Sequence, residues 1–160
     1  MLEIPKSPND ETRLQAAIIT AQTLIDEEGL SGKVEELAAD IVRHCRSGDG
    51  YSMAKDLEKH GWDCDTAIAE ILDSHQHTLA RAHEDFLRGF QQTHNVQPPI
   101  PVGTCVKTRR GTGVIAEVYP HRPMSYAIKQ DGDAQAEEPT NRRILLYWDE
   151  VEALPLSGAA

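Results

Sequence analysis

The chain has 160 residues, 39% of them hydrophobic and 26% charged, with a formal net charge of -10; this suits one ordinary domain or two small ones with thin cores, and excludes a disordered chain. Its start, MLEIPKSPND, lacks the basic flank and apolar run of a signal peptide, and no stretch reaches the roughly 18 apolar residues of a membrane helix, so a cytoplasmic protein without a membrane partner is expected. Residues 1–100 hold 9 Lys and Arg against 18 Asp and Glu, whereas residues 101–160 hold 7 against 8, which excludes a phosphate backbone as a ligand of the N-terminal part.

Taken in chain order, Pro8-Asn9-Asp10 opens a first helix in which Leu14, Ala17, Ile18, Ala21, Leu24 and Ile25 recur on one face until Gly29. Ser31 is the expected cap of a second helix, with Val34, Leu37, Ala38, Ile41, Val42 and Cys45 as its stripe, and SGDG at 47–50 stops it. Ser52 begins a short third helix through Met53 and Leu57 to Gly61, and Asp63 or Asp65 caps a fourth. That fourth helix is expected to be long. Ile68, Leu72, His75, Leu79, Ala82, Phe86 and Phe90 follow helical spacing with no proline or glycine before Gly89, about 30 residues or 45 Å. Its far end, Phe86, Leu87 and Phe90, would be a sizeable apolar patch on a projecting helix, so helix one or a second chain must cover it; a homodimer along the rod is the expected answer.

Proline at 98, 99 and 101 ends the helical domain, read as 1–97, and residues 98–101 form a linker. Five short strands follow, at 104–109, 114–119, 124–130, 144–148 and 151–154, rich in β-branched and aromatic residues and separated by Gly111 with Gly113, by Pro120-His121-Arg122-Pro123, by Asp131-Gly132-Asp133 and by the polar loop 134–141. So many short strands in about 55 residues suit a small bent barrel over 102–155, leaving 156–160 as a disordered tail. The fold class is therefore α+β, a four-helix domain followed by a five-stranded barrel. Cys45, Cys64 and Cys105 are odd in number and form no CxxC pair, so they read as reduced thiols.

Two resemblances accompany these elements. Gly50, Tyr51, Leu57, Gly61, Trp62, Asp63, Ala67, Ile68, Ile71 and Leu72 resemble in outline the second and third helices of ubiquitin-associated domains. They are equally the positions that a small helical bundle buries, and no ubiquitin binding is carried over. Val106, Gly111, Gly113, Val114, Ile115, Tyr126, Ile128, Tyr147, Trp148, Val151 and Leu154 resemble the SH3-like barrels, including the KOW and CAP-Gly types, without the glycine-rich groove motif of true CAP-Gly domains. That resemblance implies a module that binds proteins or RNA through loops and exposed aromatics and rarely catalyses reactions.

No G-x-S-x-G, H-E-x-x-H or recognisable catalytic cysteine is present, and Gly111 and Gly113 lie between strands, not at a helix N-terminus that would hold phosphate. A non-enzymatic protein without cofactor is expected. His75 and His77 point about 200° apart on one helix and cannot share an ion, so no metal is assigned to them or to His83. The candidate binding residues are Lys107, Arg109, Arg110, His121 and Arg122, with Arg142-Arg143 beside them and Tyr119, Tyr126 or Trp148 as stacking faces, provided that the hairpin tips gather at one rim. The expected partner is a protein, with nucleic acid through the barrel as the alternative. Two bland readings compete, namely solvated turns around a core of Tyr and Trp and a rim that docks on the acidic helices.

Overall fold

Asn9 is in extended conformation and accepts a hydrogen bond from the Thr12 N–H at 2.8 Å, which starts α1, Asp10–Glu28; Gly29 ends it with a φ of 65° that favours glycine. The computed structural model describes residues 3–46, 48–132 and 143–155. Asp133, the 134–141 loop, Arg142 and the 156–160 tail lie outside the described residues, as do Ser47 of the SGDG stop and the two N-terminal residues. The other helices are α2 (Val34–His44), α3 (Gly50–Glu58), α4 (Thr66–Asp73) and α5 (His75–Thr93).

Three expectations about these helices are revised. Ser31 does not cap α2, because Lys33 holds the capping position and provides no side-chain hydrogen bond. The third helix starts at Gly50, before Ser52, since Asp49 accepts the Ser52 N–H at 3.0 Å. The long fourth helix is present as two segments: the Ser74 N–H turns to the carbonyls of Ile71 and Leu72, which divides α4 from α5. Of the two candidate caps of α4, it is Asp65 that accepts the Ile68 N–H, at 3.0 Å.

The chain forms two compact units, Lys6–Phe86 and a second made of Met1–Pro5 with Leu87–Ala160; the prolines at 98, 99 and 101 lie inside the second. In the first, α1 packs on α2 and α4, and α3 on α2 and α4. Leu24, Leu37, Ile41, Met53, Leu57 and Leu72 form its core and are essentially fully buried, each side chain contributing about 1.5–3 kcal/mol. The face that α1 buries is only part of the expected stripe: Ala17, Ala21 and Leu24 are in the core and Ile25 packs against it, but Leu14 and Ile18 are not. Ala16, Ala17, Thr20, Ala21 and Leu24 point inward, whereas Leu14 and Ile18 are 44% and 40% exposed. Small side chains on the inner face let α1 approach α2 closely, and apolar residues around the rest of the helix blur its periodicity.

The second unit holds an antiparallel sheet of five strands, β1 (Cys105–Thr108), β2 (Gly111–Val118), β3 (Ser125–Gln130), β4 (Ile144–Tyr147) and β5 (Glu152–Ala153), in the order β4-β3-β2-β1-β5. A 3-10 turn, Trp148–Glu150, joins β4 to β5. Val106, Ile115, Tyr126 and Ile128 fill its core. β4 and β5 are the edge strands, so among the described residues the sheet is not closed. No helix among the described residues is long and apolar enough to cross a membrane.

Candidate binding surface

The basic residues do not gather at one rim. Successive turns of an antiparallel meander lie at alternate ends of the sheet, and β2 separates the first turn, with Arg109 and Arg110, from the second, with His121 and Arg122. Its 8 residues put the two turns roughly 25 Å apart.

At the first end, the turn is held by Thr108, whose Oγ1 accepts the Arg110 N–H at 3.1 Å and donates to the Gly111 carbonyl at 2.9 Å. Gly111 has a φ of 119°, a conformation that favours glycine. Arg109 and Arg110 are exposed. Beside them, Thr112 Oγ1 donates to Asp131 at 2.7 Å, and Gln130 donates to the Arg110 carbonyl at 3.1 Å. Lys107 lies on the outer face of β1 between Thr112 and Glu152 in register. Arg143 is engaged with Glu117 at 2.9 Å. Among the described residues, this end mixes both signs of charge and carries no aromatic stack.

The second end is ordered differently. The Tyr119 N–H donates to the Ser125 carbonyl at 2.9 Å, and Met124 takes a φ of 50°, which closes the Pro120 to Pro123 turn. The Arg122 guanidinium lies 4.0 Å over the Tyr147 ring, and His121 meets Tyr119 edge-on at 5.5 Å. Arg122 is half-buried and His121 exposed. The 3-10 turn borders this end, where the Trp148 N–H donates to the Met124 carbonyl at 2.9 Å and Glu150 accepts the Tyr147 N–H at 2.8 Å.

Tyr126 and Trp148 offer no stacking face, because they are 0% and 3% exposed and pack together with ring centroids 5.9 Å apart. The Tyr126 hydroxyl accepts the Ile100 N–H at 2.9 Å and donates to the Ile100 carbonyl at 2.8 Å, pinning the proline segment to the sheet; burial raises its pKa. The expected assembly patch is also changed. Leu87 is fully buried within the single chain and so is closed to a partner, while Phe86 and Phe90 are half-buried and contact His83 and His94.

In the helical unit, sequence reasoning missed one cluster. His44 and His60 stack with ring centroids 3.5 Å apart, His44 lies 3.7 Å from Asp40, and the Trp62 indole donates to Asp40 at 2.8 Å. The Asp40/His44 spacing of four along α2 was the available signal. His75 is buried with Nδ1 2.8 Å from Thr20 Oγ1, and burial lowers its pKa. Burial likewise pushes Cys45 up to about 12 and Cys64 to about 11, so both are thiols at neutral pH. Among the described residues, no three His, Cys, Asp or Glu side chains group as a metal-ligand set. Comparison with protein-family models, with curated proteins and with solved structures finds no match for this chain.

Proposed function

We propose that this chain is a cytoplasmic, non-enzymatic binding protein whose sheet unit is an SH3-like module that docks an acidic segment of a protein partner. The SH3-like reading is supported by the meander order and by the 3-10 turn between β4 and β5. The observation that carries the docking site is the Arg122 guanidinium held over the Tyr147 ring, with Tyr119 and His121 beside it. An arginine fixed on an aromatic face loses little side-chain freedom on binding, and arginine with tyrosine is the composition in which interface energy concentrates. Affinity capture with Arg122→Glu and with the double variant Arg109→Glu/Arg110→Glu tests it, each variant first shown to melt like the parent. The reading expects partners lost with the first and retained with the second. Loss with the second alone moves the site to the other end of the sheet, and an unchanged partner set with both variants removes it.

Nucleic acid is the second reading, favoured by Lys107, Arg109 and Arg110, which are exposed on the outer face of β1 and its turn. It expects a gel shift that weakens steeply with salt and is lost in the double variant.

A further inference from the structure

The helical unit, residues 6–86, carries 8 Lys and Arg against 17 Asp and Glu, yet three of its arginines line one cavity. The cavity has a volume of about 570 Å³, within the roughly 300–1,000 Å³ of small-molecule sites. Arg13 of α1 and Arg43 and Arg46 at the end of α2 line it, and no carboxylate is among its lining residues. Its apolar wall is Ile41, Val42 and Leu79. Val42 is 41% exposed there, although Ile41 beside it is in the core.

The arginines keep their hydrogen-bonding capacity. Arg13 makes one long bond, Nε to the Pro8 carbonyl at 3.3 Å, and no ion pair joins Arg43 or Arg46 to another described residue. The carboxylates whose fields reach the Cys45 thiol, Asp56 and Asp40, are engaged elsewhere: Asp56 with Lys59 at 2.9 Å and Asp40 with the Trp62 indole at 2.8 Å. The remaining polar walls bring no negative charge. Cys45 is a protonated thiol, Gln76 is an amide, and His75 is an imidazole held by Thr20.

We infer that this cavity is a binding site for a small organic anion, whose oxyanion head is held by Arg13, Arg43 and Arg46 and whose apolar body lies on Ile41, Val42 and Leu79. Guanidinium groups bind phosphate or carboxylate oxygens through paired, charge-assisted hydrogen bonds. The apolar wall selects against the bare inorganic ion. The site is independent of the sheet unit's docking role, being built wholly from residues of Lys6–Phe86.

The test is an amide ¹⁵N NMR titration of the full chain with phenyl phosphate, alongside inorganic phosphate and phenol as separate arms. The expected result is saturable shifts at Arg13, Val42, Arg43, Gln76 and Leu79 with phenyl phosphate, about tenfold weaker binding of inorganic phosphate, and none of phenol. In Arg43→Gln/Arg46→Gln, two exposed positions whose change leaves the melting curve intact, phenyl phosphate binding falls at least about tenfold. Absence of saturable shifts, shifts spread over the surface, or an unaffected affinity in the double variant overturns the inference. Equal binding of inorganic phosphate overturns the organic part of it and leaves a plain oxyanion site.

Discussion

At Gly50 the backbone N–H donates to the Asp73 carboxylate, and a Cβ at this position would collide with the Ala69 carbonyl oxygen and the Asp73 N–H. Helices α3 and α4 are therefore in backbone contact. Gly50→Ala is expected to destabilise by about 3 kcal/mol, seen as a lower urea midpoint. Gly89→Ala, with nothing near its added methyl, is expected to be neutral or stabilising by about 0.5–1 kcal/mol. Tyr126→Phe removes both hydrogen bonds to Ile100 and leaves that N–H and carbonyl unpaired, for an expected loss of about 1–3 kcal/mol in the same measurement. His75 has a definite sign. Its pKa is lowered on folding, so the unfolded chain binds the proton more tightly, and stability is lost as pH falls below the unfolded value of about 6.5. Between pH 7.5 and 5.5 the parent's urea midpoint should therefore drop more than that of His75→Gln, which retains a partner for Thr20; parallel curves would show that His75 does not titrate in this range.

Among the elements, the starts of α1 and α4 and the strand runs were legible because their causes are local. Asn9 and Asp65 cap through bonds that span three residues, and β-branched runs between turn residues read as strands wherever they sit. The face of helix α1 was legible at Ala17, Ala21, Leu24 and Ile25 but not at Leu14 and Ile18, because its apolar residues surround it and the edge of the buried face depends on which neighbour it meets. Ile18→Ser is accordingly expected to change stability by less than about 0.5 kcal/mol, whereas Ala21→Leu forces side-chain volume into a closed contact and costs about 1–3 kcal/mol; thermal melts of the two variants check the assignment. The break at Ser74 had no signal in composition, since serine is tolerated inside helices and its N–H merely exchanges one set of carbonyls for another.

For the whole molecule, the burial of Leu87 within one chain leaves Phe86 and Phe90, each half-buried, of the apolar patch on which a dimer was expected. Light scattering on the full chain is expected to give the mass of one chain, and a dimer mass would mean that these two rings or another surface assemble. The candidate site was legible only in part. Arg122 and His121 were found as members of a basic turn, but their separation from Arg109 and Arg110 follows from strand order; of the expected stacking faces Tyr126 and Trp148 are buried, and the ring beneath Arg122 is Tyr147, which was not among them. The sequence by itself determined the α+β order, the Asn9 cap, the strand runs and the uneven charge, because each rests on residue identity or on bonds and spacings within a few residues. Tertiary structure decided the strand order of the sheet, the two ends of the basic surface, the buried side of α1 and the gathering of Arg13 with Arg43 and Arg46. Those depend on how whole elements pack against one another, where no local pattern records which side chains will meet.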